Sequence, residues 1–163
     1  MNQDQDIIMK SQENPQHVKF MKAALMEAKK AYVKGEVPVG AVVVYNDKII
    51  ARAHNVREIN QEFHAHAEFL AMQKAAKKLK SWRLEDCEVY VTMEPCPMCA
   101  GAMVQARIKT LYYGTKDPKA GAVDSVLHLL DIPFNHRIDV VSGIMADESK
   151  VMIQKFFKDL RSK

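Results

Sequence analysis

The sequence has no long apolar run and only three cysteines. Nothing in it approaches the roughly 18 consecutive apolar residues of a membrane span. Residues 1–10 also lack the basic-then-apolar order of a signal peptide. We therefore expect a cytoplasmic protein with no membrane partner. An odd number of cysteines with one close pair, Cys96 and Cys99, argues against a disulfide framework and indicates a metal site, with Cys87 as a spare thiol.

Internal repeats, low-complexity linkers and a compositionally distinct second region are also missing. The 163 residues are enough for one domain with a substantial core. Apolar residues make up 48% and charged residues 27%, which is ordinary for a globular protein. The formal net charge of +4 is too small to indicate a nucleic-acid partner by itself. We predict a flexible N-terminal tail over residues 1–14 and a single domain over residues 15–163.

Hydrophobic periodicity predicts alternating helices and strands. Asn14-Pro15 is typical of a helix start, and the apolar stripe that follows ends at Gly35. Two β-rich runs joined by Asn46-Asp47 predict a hairpin. The predicted strands are Val39–Tyr45, Lys48–Ala53, Glu88–Thr92, Thr110–Tyr113 and Ile138–Val141, and the later helices are Ala65–Leu79, Cys96–Ala106 and one that begins near Asp147 and buries Met152, Phe156 and Leu160.

This order predicts an α/β fold whose sheet is at least partly parallel, because strand–helix–strand units form crossover connections. Two of the predicted helices then begin beyond the carboxyl ends of strands, where open α/β sheets place their ligands. His66 and Glu68 lie at one of these helix starts, and Cys96 and Cys99 lie at the other. Topology and residue type therefore indicate the same place.

The residues His66-Ala67-Glu68 and Pro95-Cys96-Pro97-Met98-Cys99 predict a zinc site. Cys96 and Cys99 are three apart, so they share a helix face. Thiolates are also favoured at a helix N-terminus. Three protein ligands leave the fourth position of tetrahedral zinc open to water, which is typical of a catalytic site. Glu68 is then the proton acceptor beside that water.

A structural zinc site is the alternative interpretation. His64 or Cys87 could supply a fourth ligand, which would close the coordination shell. Structural sites usually combine two Cys-x-x-Cys or Cys-x-x-His pairs, however, and the sequence has only one such pair. We therefore favour catalytic zinc, with Cys87 as a buried, inert thiol. For His64, a loop role, a competing ligand and a substrate contact all remain open.

Longer segments resemble bacterial tRNA-specific adenosine deaminases of the cytidine-deaminase-like superfamily. The zinc motifs alone fit any member of that superfamily. The other matching segments narrow the resemblance to the tRNA branch, and they are His54-Asn55, Ser81-Trp82-Arg83-Leu84, Thr92-Met93-Glu94 before the cysteine motif, Ala100-Gly101-Ala102 after it, and Asn135-His136-Arg137. The resemblance implies a three-layer α-β-α fold with a mixed, mostly parallel five-stranded sheet, one deaminase domain over residues 15–163, and a homodimer.

The same resemblance implies hydrolytic deamination of adenosine to inosine at wobble position 34 of a tRNA anticodon, with an arginine tRNA as the substrate. One Zn²⁺ per chain would be held by His66, Cys96 and Cys99, and Glu68 would move the proton. Three residues would contact the substrate, namely Asn55 at the target nucleoside, Asp117 at the backbone or sugar, and Val39 at a strand end. Family members usually carry Asp-Pro-Thr where this chain has Glu62-Phe63-His64.

Other interpretations stay open on sequence alone. Asn55 and Asp117 are also common turn formers, and the stretch around Val39 is also an ordinary strand entry. The same zinc chemistry could act on a free guanine, a cytosine or a nucleotide. A structural zinc would instead make the chain a nucleic-acid-binding module.

Overall fold

The computed structural model describes residues 14–162, so the predicted tail lies outside the described residues except for Asn14. The first helix, α1, spans Pro15–Val33. Its start follows from two residues, because the Asn14 side chain accepts a hydrogen bond from the Gln16 N–H at 2.9 Å and Pro15 occupies the first turn. The chain leaves the helix through Gly35, whose φ of 79° lies in the left-handed region that glycine tolerates.

Strands β1, Gly40–Tyr45, and β2, Lys48–His54, form the predicted hairpin. Both residues of its turn have positive φ, 51° at Asn46 and 60° at Asp47. This backbone is that of a type I′ turn, whose twist matches the two strands it joins. Gly40 lets β1 approach α1 closely, since a Cβ there would lie 2.0 Å from the carbonyl oxygen of Ala24.

The remaining elements follow the predicted order with small shifts at their ends, except that a short helix at Arg57–Asn60 and a 3₁₀ turn were not predicted. They are α2 (Arg57–Asn60), α3 (Ala67–Leu79), β3 (Cys87–Met93), α4 (Pro97–Ala106), β4 (Thr110–Thr115), a 3₁₀ turn (Leu129–Asp131), β5 (Asp139–Val141) and α5 (Ala146–Arg161). Of the helices described between residues 14 and 162, none is long and apolar enough to cross a membrane.

The five strands form one sheet in the order β2-β1-β3-β4-β5. β1 is antiparallel to both of its neighbours, whereas β3, β4 and β5 are mutually parallel. It follows that β2 points the same way as β3, and that β1 alone runs in the opposite direction. The prediction of a mixed sheet with most strands parallel is confirmed.

Helices cover both faces of the sheet, which gives the predicted three layers. On one face, α3 and α4 pack residues such as Met72 and Met103 against the strands. On the other face, α1 packs Phe20 and Met21 against β1, β3 and β4. α5 joins this second layer, where the Phe156 ring meets the Tyr32 ring of α1 edge-on at 5.8 Å.

The predicted inner face of α5 is partly wrong. Phe156 is buried as expected, but Leu160 is 54% exposed and Met152 is only partly buried. Ser149 and Ile153 take the inner positions instead. The helix contacts β4 and β3, and its last buried residue is Phe156, so Leu160 lies about one turn beyond the buried part of the helix.

Candidate active site

The two predicted helix starts meet at one end of the sheet. His66 is the residue before α3, and Cys96 is the residue before α4. Both have extended backbone conformations, with ψ of 148° and 173°, so each side chain leaves the backbone ahead of its helix. Cys99 follows in the first turn of α4 and is buried. The structure thus brings together three residues that are up to 33 positions apart.

The geometry of these three side chains fits zinc. The His66 Nδ1 atom lies 3.6 Å from the Cys96 Sγ atom and 3.5 Å from the Cys99 Sγ atom. Zn–N and Zn–S bonds of ordinary length at a tetrahedral angle would place nitrogen and sulfur about 3.6 Å apart. Within residues 14–162, no fourth His, Cys, Asp or Glu joins this group, whose ligand atoms all lie within 4.8 Å of one another.

The electrostatics of the group favour a thiolate. A hydrogen bond from Cys99, aided by His66, lowers the pKa of Cys96 to about 4. The pKa of Cys99 is raised for the complementary reason, because Cys99 is the donor to Cys96. The pKa of His66 is raised, mainly by its hydrogen bond with Cys96. A bound divalent cation would favour thiolates on both cysteines and neutral imidazole on His66.

Glu68 lies beside the three ligands without belonging to their group. Its side chain interacts with Cys99, and the residue is only 4% exposed. Burial raises the pKa of its carboxyl group to about 7, although the charge of His66 opposes this shift. A carboxyl group with a pKa near neutrality can both accept and donate a proton, which a catalytic acid–base must do.

A cleft of about 440 Å³ opens over this group. Its lining includes His66, Glu68 and Cys96 together with the three predicted substrate contacts Val39, Asn55 and Asp117. The structure therefore places every predicted site residue except the buried Cys99 on the wall of one cleft. Whether Val39, Asn55 and Asp117 touch a substrate stays a prediction.

Asn55 also has a structural task that the sequence did not indicate. Its Oδ1 atom accepts a hydrogen bond from the Ala67 N–H at 2.8 Å, at the start of α3. The Asn55 N–H in turn donates to the Val39 carbonyl at 3.2 Å. The first bond fixes the carboxamide against the helix that presents His66 and Glu68, and the second ties the Asn55 backbone to the residue before β1.

Asp117 forms a tight turn in the lining of the cleft. Its Oδ1 atom accepts hydrogen bonds from the N–H groups of Lys119, at 3.0 Å, and Ala120, at 3.2 Å. The turn-forming role that was open in the sequence is therefore present. Asp117 nevertheless lines the cleft, so one side chain serves the loop and borders the site.

Two buried glutamates in the lining of the cleft, Glu36 and Glu94, were not among the predicted site residues, although Glu94 belongs to a segment that carries the resemblance. The Glu36 carboxylate accepts from the Ile59 N–H at 2.7 Å and so holds the short helix α2. The Glu94 carboxylate accepts from several N–H groups of the loop after β4. For Glu94, the sequence did offer a signal, which is an acidic residue directly after an apolar strand. A carboxylate is rarely buried without partners, so a glutamate at this position indicates a site where other groups bind it.

Neither proposed fourth ligand lies at the site. Cys87 is buried in the core at the start of β3, while Cys96 follows the end of that strand. Burial raises the pKa of Cys87 to about 11. The His64 Nε2 atom lies 3.1 Å from a Glu62 carboxylate oxygen, and its ring lies 5.6 Å from the Phe69 ring.

The fold, the three-ligand group and the buried glutamate define a deaminase. The MafB19-like deaminase family model matches residues 15–161, and the chain belongs to this family. Curated relatives are more specific. This chain is 52% identical over 145 residues to the tRNA-specific adenosine deaminase of Bacillus subtilis, and the match covers 88% of this chain and 90% of that one. The enzyme of the same name from Aquifex aeolicus is 45% identical, covering 88% and 95%. The predicted resemblance is confirmed.

Solved structures agree with the sequence relatives. A structure from a study of A-to-I editing by tRNA:A34 deaminases superposes with a TM-score of 0.80 at 43% identity, covering 82% of this chain and 98% of that one. The guanine deaminase of Nitrosomonas europaea gives a TM-score of 0.75 at 19% identity, covering 92% and 91%. The second likeness shows the shared fold alone, and with the first it confirms the predicted cytidine-deaminase-like architecture.

Proposed function

We propose that this enzyme hydrolyses adenosine to inosine at wobble position 34 of a tRNA anticodon, with arginine tRNA as the substrate. The observation that carries the proposal is the buried Glu68 carboxyl group beside the His66, Cys96 and Cys99 ligands, at the wall of a cleft. The curated relatives of this chain are named as tRNA-specific adenosine deaminases, which supports this substrate over a free base.

One Zn²⁺ per chain would be held by His66, Cys96 and Cys99, whose Nδ1 and Sγ atoms have the spacing of tetrahedral ligands. Bound zinc would supply Lewis acidity, which lowers the pKa of water so that it can attack at neutral pH. Glu68, which is buried next to this group, would be the proton acceptor for that water.

Glu68 moves protons in two steps. It first takes a proton from the attacking water and delivers it to N1 of adenine, which makes C6 more electrophilic as the water oxygen adds there. It then passes a second proton from the added hydroxyl group to the amino group on C6. The C6–N6 bond breaks, ammonia leaves, and inosine remains. The pKa of Glu68 near 7 suits this alternation of acceptor and donor.

The shape of the site supports an unstacked nucleotide as the substrate. A base must leave its stack to reach the recessed Glu68, and this costs least in a single-stranded loop such as an anticodon. We propose that Asn55 and Val39 border the flipped nucleoside and that Asp117 contacts its sugar or backbone. Arg57 and Lys119 also line the cleft, and both offer positive charge to phosphates.

A deamination assay tests the proposal. Purified enzyme would be given a synthetic arginine anticodon stem-loop, the same stem-loop with guanosine at position 34, and free adenosine, guanine and cytidine. We expect inosine at position 34 of the first stem-loop and no product from the free compounds. Turnover of free nucleosides or bases without any stem-loop turnover would overturn the tRNA assignment. That outcome would favour the free-base alternative, for which the Bacillus subtilis guanine deaminase, 39% identical over 60% of this chain with a TM-score of 0.58, is the precedent.

We also propose that the protein is cytoplasmic, where its tRNA substrate would be found, and that two copies of it form a homodimer. An apolar groove between α3 and α4 includes Phe69, Met72 and Ala102, and nearby Trp82 is 60% exposed. Exposed apolar grooves of this kind often mark protein interfaces. Light scattering should give twice the monomer mass for the wild type and the monomer mass for Ala102→Lys. A monomeric wild type at micromolar concentration would contradict the dimer.

A further inference from the structure

A single buried carboxylate, Glu94, holds the loop that carries Asp117. Glu94 follows β3 and directly precedes the Pro95-Cys96 turn of the metal site. It is only 3% exposed. Its Oε1 atom accepts from the Asp117 N–H at 3.0 Å and from the Ser125 hydroxyl group. Its Oε2 atom accepts from the N–H groups of Val123, Asp124 and Ser125 at 3.1, 2.8 and 3.0 Å.

These bonds define the clamp, by which we mean the Glu94 carboxylate and the loop residues 117–125. All five donors are neutral N–H or O–H groups that converge on one negative charge. Hydrogen bonds to a charged group are stronger than neutral ones, and each buried donor left unpaired costs free energy. Two further bonds close the loop, from the Gly121 N–H to the Asp117 carbonyl at 2.9 Å and from the Ala122 N–H to the Pro95 carbonyl at 2.9 Å.

Close packing at Gly121 leaves the clamp no free space. A Cβ on Gly121 would lie 2.3 Å from the Glu94 Cδ atom and within 2.5 Å of both carboxylate oxygens. Since the carboxylate is held by its five donors, it has no alternative position to move into. The absence of a side chain at Gly121 is therefore required by contact with Glu94.

The clamp connects two residues of the cleft lining, Cys96 and Asp117, through Glu94. Cys96, a metal ligand, lies two residues after Glu94, and the Asp117 N–H is bonded to the Glu94 side chain. Both Asp117 and Cys96 line the cleft. The separation between the reacting centre and Asp117 thus depends on the Glu94 side chain.

From these contacts we infer that Glu94 is a positioning residue for the deamination: it holds the Asp117 turn at the distance from the metal-binding turn at which Asp117 contacts the nucleotide. The inference rests on the proposed function, since that function supplies the nucleotide. Glutamine is the sharpest substitution, because its NH₂ group cannot accept a hydrogen bond and must face donors whichever way the amide is turned.

Steady-state kinetics on the anticodon stem-loop test this role. We expect Glu94→Gln and Gly121→Ala each to raise KM about tenfold, as the loss of one or two charge-assisted hydrogen bonds predicts, with a much smaller change in kcat and full zinc content. Ser125→Ala removes one of the five bonds and should show the same effect more weakly. If Glu94 acts through Asp117, the double variant Glu94→Gln/Asp117→Ala should have the KM of Asp117→Ala alone.

Two matched controls separate positioning from general damage. Gly101→Ala adds the same methyl group where nothing lies within 4 Å, and it should leave KM unchanged. Glu27→Gln neutralises another buried glutamate that is bonded to Lys30 and His54, none of which lines the cleft, and it should lower stability without raising KM. An unchanged KM in Glu94→Gln, or additive KM effects in the double variant, would overturn the inference.

Amide hydrogen exchange gives a readout that needs no substrate. In zinc-loaded Glu94→Gln protein, the N–H groups of Asp117, Asp124 and Ser125 should exchange at least about tenfold faster, while those of the β3 core keep their protection. If wild-type enzyme fails to act on the stem-loop, the proposed function is wrong, and this exchange experiment still decides whether Glu94 holds the loop. Unchanged exchange at Asp117 would refute the clamp independently of activity.

Discussion

The carboxyl group of Glu68 is buried next to His66, Cys96 and Cys99, the three residues positioned to hold a metal ion, and it is not one of them. Burial alone would favour its protonated form, and the charge of His66 pulls in the other direction. The two influences leave the pKa of Glu68 near 7, so neither protonation state is costly at neutral pH. This residue therefore has the environment of a proton shuttle.

Glu68→Gln keeps the size of the side chain and removes its ability to take a proton. We expect a loss of activity of about 10²–10⁴-fold, the usual contribution of general acid–base catalysis, with zinc content and thermal unfolding close to wild type. Single-turnover rates on the stem-loop and elemental analysis measure both quantities. Unchanged activity in a zinc-loaded variant would support a structural zinc and a binding module instead.

Cys87 offers a second prediction at the residue scale. It lies in the apolar core as the first residue of β3, whereas Cys96 follows the other end of that strand. Cys87→Ser should keep one zinc per chain but lose about 1–3 kcal/mol of stability, because a hydroxyl group replaces a thiol in apolar surroundings. Elemental analysis against Cys96→Ser, which should lose zinc, is the check. Zinc loss in Cys87→Ser would restore Cys87 as a fourth ligand.

At the scale of elements, local signals placed most helices and strands. Asn14-Pro15 marked the start of α1, and Asn46-Asp47 marked the hairpin, because caps and turns depend on a few adjacent residues. The face that α5 buries was less predictable. Leu160 is as apolar as Phe156, yet it lies beyond the last buried residue of the helix and is exposed. Periodicity shows that a helix has an apolar side, and tertiary packing decides how much of that side is covered.

The cap of α1 can be tested directly. Asn14→Ala removes the acceptor of the Gln16 N–H, and we expect a loss of about 1 kcal/mol in the free energy of unfolding. Asn14→Ser should lose much less, because serine is also a good N-cap residue. Urea denaturation of the three proteins at one pH provides the comparison. Equal stability of Asn14→Ala and wild type would show that this cap contributes nothing to the fold.

At the scale of the whole molecule, buried carboxylates tie separate elements together. Glu27 of α1 accepts hydrogen bonds from Lys30 at 2.5 Å and from His54, at the end of β2, at 3.2 Å. Lys34 lies 3.0 Å from the other ring nitrogen of His54. Burial raises the pKa of Glu27, but the bonds to Lys30 and His54 outweigh burial and lower it below its usual 4.5.

This lowered pKa makes stability depend on pH in a stated direction. The unfolded chain protonates Glu27 at a higher pH than the folded chain does, so the contribution of Glu27 is complete well above pH 4.5 and is lost as the pH falls through its lowered pKa. Glu27→Gln should therefore be less stable than wild type at pH 7, and the gap should narrow as the pH falls below about 4.5. Urea unfolding of both proteins from pH 3 to pH 7 measures the gap. A gap that stays constant over this range would contradict the assignment.

The sequence by itself determined which residues make up the candidate site, and most of the elements. His66, Glu68, Cys96 and Cys99 could be selected because each stands at a helix start that local patterns reveal, and because few sets of ligands suit a catalytic zinc. Membership of the deaminase family was predicted from the short sequence segments around these residues, and the family model and the relatives confirmed it.

Only the tertiary structure decided which distant residues hold those elements in place. The insertion of β1 between β2 and β3, the cap that Asn55 gives to α3, and the Glu94 clamp on residues 117–125 each join positions from 12 to more than 30 residues apart. Periodicity and capping report on neighbours along the chain. A buried carboxylate instead takes its partners from whichever backbone N–H groups the packed fold brings to it, and no local pattern records that choice.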